Sequence, residues 1–341
     1  MNEVNVIADG ALLISDGIIQ EIGPTRRVEH LAAAKTALEI DATGKVVMPA
    51  FVDCFTRLLC GPPISESAEA AARAVHGYTT QRMELEARRR LRQFLRWGTT
   101  SLVAACGYGR DEQTEYKALR VLAALNDRPL WIVPWFYGAS GCPPDYEGGA
   151  EAYLRWTGEQ VLPELRRRKL AADVLAGDCF PPASIASYAE CARALGMNVN
   201  FKSGSTITAE SEITVLLPGE SFHRAAPYPP ARALIDSGNA VALATGYDHF
   251  DSPSVSMPMM MSFATKQMGM TPAEALTAAT VNAAHAAGLG KWVGSFSCGK
   301  QADVLLLNAA DYREIPHFFS MNLVALVIRA GQEIYPRMEA V

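Results

Sequence analysis

The feature that most restricts how this chain can fold is an alternation. Between residues 49 and 291, short apolar runs alternate with longer amphipathic segments. The runs are 52–55, 100–104, 131–135, 173–176, 198–201, 214–217 and 241–245. Each has the length and apolar character of a strand covered on both faces. Helices lie between most of them. The clearest begins at Thr271-Pro272-Ala273-Glu274. It has an N-cap threonine, a proline at the first helical position and an acid in the first turn. Repeated strand–helix units imply a parallel sheet, doubly wound or closed as a (β/α) barrel.

The repeat is short by one unit. Only twelve residues separate Phe201 from Thr214, and a full crossover takes about 30. The reading is seven barrel strands, with no helix longer than about one turn in this gap. Residues 205–208 would bridge it as a short makeshift strand. Losing a unit is expected to open or flatten the barrel on that side, because strand number, tilt and shear are coupled.

The two ends of the chain read differently. Residues 11–15 and 18–22 flank Asp16-Gly17, a hairpin signal, and 45–48 is a further strand. Residues 302–307 form a strand, and 323–328 with 332–335 form a second hairpin around Ala330-Gly331. The economical arrangement is a small β-sandwich built from both ends. Residues 1–48 and 292–341 then make one composite domain, and residues 49–291 make the barrel domain.

A net charge of −5 argues against a general nucleic-acid surface. The basic runs 88–90 and 166–169 read as solvated helix faces. Seven cysteines with no CxxC pair fit a reducing compartment better than a disulfide framework or a thiolate metal cluster. No basic-then-apolar leader opens the sequence, and no run reaches the roughly 18 apolar residues of a spanning helix. The expectation is a cytoplasmic protein with neither membrane nor nucleic-acid partner. A small-molecule ligand and a homo-oligomer are both compatible with it.

Within this frame a series of motifs appears in order. Residues 49–58, PAFVDCFTRL, resemble the amidohydrolase opening PGFVDxHTHL. Residues 97–101 resemble its GVTT strand start, and 241–245 its VALATD strand. Cys106-Gly107-Tyr108-Gly109 with 114–121, then Pro143-Pro144-Asp145-Tyr146 and 215–219, resemble stretches particular to imidazolonepropionases. The run 271–288 and the closing Gly299-Lys300-Gln301-Ala302-Asp303 resemble the family's C-terminal helix and strand. The resemblance spans nearly the whole chain. It implies an amidohydrolase-type (β/α) barrel and hydrolysis of a non-peptide C–N bond in a cyclic substrate of histidine degradation. It also implies a zinc or iron ion that lowers the pKa of bound water.

The ligand positions of that family are replaced. Its HxH pair corresponds to Phe55 and Arg57, its fifth-strand histidine to Lys202 and its eighth-strand aspartate to Gly246. Charged Arg and Lys do not ligate a metal, and Phe and Gly offer no donor. The expectation is therefore no metal cofactor at this place. Of the substrate-side residues, Tyr108 still matches.

Three readings follow. The chain is a non-metal relative that binds a small ligand or serves as a subunit, or it is an enzyme with metal-independent chemistry. Alternatively, it is a hydrolase that still uses a metal through other ligands, for which Asp178 and Asp248 with His249, the catalytic candidates, would serve. Six histidines are present, none paired at ligand spacing. Cys54, Cys106, Cys142 and Cys179 fall near strand ends, and small buried thiols are the ordinary use of such positions. Arg57, Tyr108 and Lys202 are the ligand-binding candidates. Arg57 and Lys202 are expected at the barrel mouth, with Asp53, Asp178 and Asp248 nearby. Two cations there require carboxylates or an anion, so the site is either an internal salt-bridge plug or a binding site for an organic carboxylate or phosphate.

Overall fold

The computed structural model describes residues 4–107, 111–142 and 146–336. Strands β1 (Gly10–Ser15) and β2 (Ile18–Pro24) form an antiparallel hairpin. Its turn places Asp16 at φ 53° and Gly17 at φ 76°. Two consecutive left-handed residues give the twist a tight hairpin needs, which is why Asp-Gly signals one. Strand β3 (Val46–Pro49) leads into the barrel strands: β4 (Phe51–Thr56), β5 (Thr99–Cys106), β6 (Trp131–Ala139), β7 (Asp173–Gly177), β8 (Asn198–Ser203), β9 (Thr206–Thr208), β10 (Ile213–Leu216) and β11 (Ala240–Leu243). Strands β12 (Val304–Leu307), β13 (Val324–Arg329) and β14 (Gln332–Tyr335) close the chain.

The two ends meet. Strand β3 pairs antiparallel with β12, with Met48 opposite Leu305, in a four-stranded sheet ordered β14-β13-β12-β3. Leu12 and Ile14 of the first hairpin pack against Val304, Leu306 and Ile328 of that sheet. Ile19 N–H donates to the Lys300 carbonyl at 2.9 Å. A sheet of β3 and the C-terminal strands, with the N-terminal hairpin packed on it, is thus assembled from both termini.

The barrel sheet runs β11-β10-β9-β8-β7-β6-β5-β4. Neighbours are parallel from β4 to β8, and β10 is parallel to β11. The sheet holds the seven barrel strands read from sequence and, as an eighth member, the short bridging strand expected in the gap. The eighth is the three-residue β9, antiparallel to both β8 and β10. It lies in the twelve-residue gap, which contains no helix. A hairpin turn at Gly204-Ser205 thus replaces a full crossover. The sheet is not interrupted there, since β9 bonds to a strand on each side. Between β4 and β11 the ring is joined by the Thr56–Tyr247 bridge and by Gly246 N–H to the Phe55 carbonyl, 3.1 Å.

Inside the ring, Val52, Cys54, Phe55, Val103, Ala105, Trp135, Leu175, Val215, Leu217, Ala242 and Ala244 form one apolar cluster. The outward residues of the same strands join the larger cluster beneath the helices. Phe55 breaks the alternation of β4. The pairing advances from Asp53–Leu102 to Thr56–Ala104, so β4 carries an extra residue. A bulge of this kind re-aims side chains, and it turns Phe55 inward beside Cys54. None of the seven cysteines is in a disulfide. Among the described residues no helix is long and apolar enough to cross a membrane.

Candidate active site at the barrel mouth

The residues that follow the C-terminal ends of the barrel strands build the site, as is usual in barrels of this type. Lys202, next to last in β8, directs its ammonium at Glu220 Oε2, 2.9 Å away, and donates to the Gly204 carbonyl at 2.6 Å. The Glu220 side chain is 2% exposed and that of Lys202 13%. Burial pushes the Glu220 carboxyl above its ordinary range, and the Lys202 charge pulls it back. Glu220 stands in the helix Pro218–His223, directly after β10.

Gly246 explains the room. Its φ is +63°, and a Cβ placed on it would lie 3.3 Å from Glu220 Oε1 and 3.4 Å from Glu220 Cγ. The Glu220 carboxylate therefore packs against the bare backbone at the position where the resemblance sets the family's aspartate. Lys202, at the histidine position, meets it there.

Arg57 follows β4. Its backbone N–H donates to the Tyr247 carbonyl at 2.7 Å, and its Nε lies 3.7 Å from Asp248 Oδ2. Asp248 also accepts from the backbone N–H of Phe250 at 2.7 Å, which folds the loop after β11. In the same loop Asp251 pairs with Arg224 at 2.5 Å. Three ion pairs thus lie at the end of β8 and on the segments that follow β4, β10 and β11.

Other candidates are spent elsewhere. Asp178 accepts from the Ser203 hydroxyl at 2.9 Å. Both His249 ring nitrogens are engaged, Nδ1 with the Gly61 carbonyl and Nε2 with the Tyr247 hydroxyl, each at 2.7 Å. Burial lowers the His249 pKa, helped by the Arg90 charge. Asp53 was expected to serve a mouth cation. Instead its Oδ2 meets the Thr245 hydroxyl at 2.5 Å, and its Oδ1 accepts from Thr245 N–H at 3.1 Å. Full burial pushes its carboxyl up to about 7, against the opposing pull of these hydrogen bonds. Tyr108 lies outside the described residues.

Two residues escaped the sequence reading. Glu220 lies in the first turn of the short helix Pro218–His223, with no strand periodicity to aim it. Tyr137 continues the inward series of Trp131, Val133 and Trp135 along β6. The series was legible as an i, i+2 alternation. Burial raises the Tyr137 phenol, and the Arg57 charge lowers it; Cys179, Glu220 and Asp178 act to raise it as well. Its hydroxyl oxygen lies 2.9 Å from where a Cβ on Gly177 would be.

A zinc or iron ion does not fit this donor set. Phe55 is part of the apolar barrel interior, Gly246 has no side chain, and Lys202 and Arg57 face carboxylates as cations. Among the described residues, no group of three or more His, Cys, Asp or Glu side chains is placed to hold a metal ion. The arrangement supplies charge neutralisation at the mouth.

Comparison with known proteins bears on ancestry. The Amidohydrolase family profile matches residues 182–334. Imidazolonepropionase of Geobacillus thermodenitrificans (strain NG80-2) is 34% identical, across 97% of this chain and 91% of that protein. Imidazolonepropionase of Solibacter usitatus (strain Ellin6076) is 33% identical, across 99% and 93%. The first alignment extends over 388 positions against 341 residues here, so that relative carries segments this chain lacks. Among solved structures, E. coli guanine deaminase superposes with a TM-score of 0.74 at 15% identity, covering 96% of this chain and 92% of that one. The 5-methylcytosine deaminase of Klebsiella pneumoniae gives 0.63 at 17% identity, covering 97% and 95%. These structures speak for the fold. With a near-complete alignment at one-third identity, the chain belongs to the imidazolonepropionase family of the amidohydrolase superfamily.

Proposed function

We propose that this chain is a diverged, non-metal member of its family, in which an ion-pair plug stands where the relatives' resemblance sets a metal. The relatives named imidazolonepropionase support descent from hydrolases of that type. The observation that carries the proposal is the Lys202–Glu220 pair seated on Gly246, 2.9 Å between charged atoms with the carboxylate buried. A cation fills the space of one ligand and its own counter-ion the space of another. The reading of the mouth as an anion site has less support, because Lys202 and Arg57 are each set against a carboxylate of the chain. The reading through Asp178, Asp248 and His249 as catalytic groups also has less support, because each is held in a local hydrogen bond.

The test is elemental analysis of protein grown with added zinc and iron, together with an imidazolonepropionate hydrolysis assay beside an active relative. The expected results are well under one equivalent of transition metal, no change in folding on chelation and no turnover above buffer. Stoichiometric zinc or iron removed by chelator together with hydrolysis would overturn the proposal.

A further inference from the structure

Outside the barrel, between the helix Glu112–Leu125 and the helical segment starting at Gly149, lies a cavity of about 250 Å³. It is separate from the mouth, since its floor is Phe136, on the outward face of β6. Three aromatic rings form one side. The Tyr146 and Tyr153 ring centroids are 5.1 Å apart with planes at 76°, and Trp156 lies 6.1 Å from each. Phe180 stacks behind Tyr153 at 6.5 Å and holds that ring in place. The opposite wall is acidic and comes from the first turn of the helix Glu112–Leu125, with buried Glu115 and exposed Glu112. Asp111 on the same wall is committed to capping that helix, through Thr114 N–H at 2.8 Å, and to His76 at 2.7 Å.

The helix that carries the aromatic wall is irregular at this place. After Trp156 it widens into a π-turn, Thr157–Val161, before resuming as Leu162–Arg167. Thr157 and Val161 line the cavity. Such turns are rare because they weaken the helix, and they concentrate at functional sites. Here the wider turn shapes the wall.

We propose that this cavity binds a small organic cation of the methylated-ammonium class. Aromatic faces attract a diffuse cation through their quadrupoles, and carboxylates on the facing wall add charge. The volume suits a headgroup rather than a cofactor, since ligand pockets of ordinary size start near 300 Å³. Glu112 and Glu115 set acidic side chains on the wall that faces the rings, which suits a cation better than an anion.

Choline and its uncharged isostere 3,3-dimethylbutan-1-ol test the assignment. Saturation-transfer NMR and calorimetry on the full chain should show choline binding about tenfold or more tighter than the alcohol. Trp156→Leu should abolish the transfer, and Glu115→Gln, which keeps the shape, should weaken it about fivefold. Equal binding of the two compounds, no transfer to choline, or choline binding that survives in both folded variants would each overturn the proposal. The comparison of the two compounds on the native protein decides the matter even if a variant does not fold.

Discussion

The Lys202 ammonium and the Glu220 carboxylate stand 2.9 Å apart, although they come from opposite flanks of the shortened strand β9. The carboxylate is almost wholly buried, so the pair is a mutual obligation: either charge left alone is costly. Lys202→Met and Glu220→Leu should each destabilise the protein by about 3 kcal/mol. The double variant should recover most of that loss, because no unpaired charge remains. Urea unfolding of the four proteins measures the cycle. Simple additivity would show that the pair is not coupled.

Gly246 should resist even the smallest side chain. Its φ of +63° is unfavourable for other residues, and a Cβ there would press on Glu220 at 3.3–3.4 Å. Gly246→Ala should cost about 1–3 kcal/mol. Glu220→Ala made in the Gly246→Ala background should cost less than it does alone, since one of the two crowded groups is then gone. Thermal unfolding of both variants tests this, and a Gly246→Ala protein as stable as the parent would contradict the packing described.

Asp53 makes stability depend on pH in an unusual direction. Its carboxyl is raised from 3.8 to about 7 by burial, so the folded state holds a proton that the unfolded chain releases. A raised acid stabilises the fold in its protonated form, so its contribution grows as pH falls from about 7 to about 4 and is lost on the way back up. Comparison of the native protein with Asp53→Asn by urea unfolding at pH 5 and pH 8 isolates the effect. The native protein should gain on the variant at the lower pH. The same pH response in both would remove Asp53 as the source.

His249 works the other way. Burial first, and Arg90 second, lower its pKa below the ordinary 6.5. The folded state prefers the neutral ring, so this residue contributes stability above 6.5 that is lost as pH falls through its folded pKa. An NMR titration of its ring protons should give a midpoint below 6.5. A midpoint at or above that value would mean that the ring is not held between Tyr247 and Gly61 as described.

Much of the fold was legible because local pattern carries it. The strand runs, the Asp16-Gly17 turn and the Thr271 capping box appear where propensity and spacing put them. The twelve-residue gap also foretold the missing crossover and the short strand within it. The site was legible in part. Arg57 and Lys202 stand where strand ends suggested, and of the three carboxylates expected nearby Asp248 is the one beside Arg57. The pairing of Lys202 was not legible. Glu220 reaches it from a helix that sequence periodicity leaves unoriented, and the room at Gly246 is a property of three dimensions. Asp53 was misassigned because the bulge in β4 shifts the residues after it out of simple alternation. Its side chain instead crosses to Thr245 at the β4–β11 seam.

The antiparallel β9 also bears on the order in which the barrel forms. A parallel neighbour must close a chain of about 30 residues before its first contact is made, whereas β8 meets β9 across a two-residue turn and β10 follows at once. Closure entropy rises with the length of chain enclosed, and local contacts form sooner than distant ones. The β8–β9–β10 meander therefore holds the shortest-range pairings of this sheet, and contact order alone leads one to expect it to pair before the strands on either side.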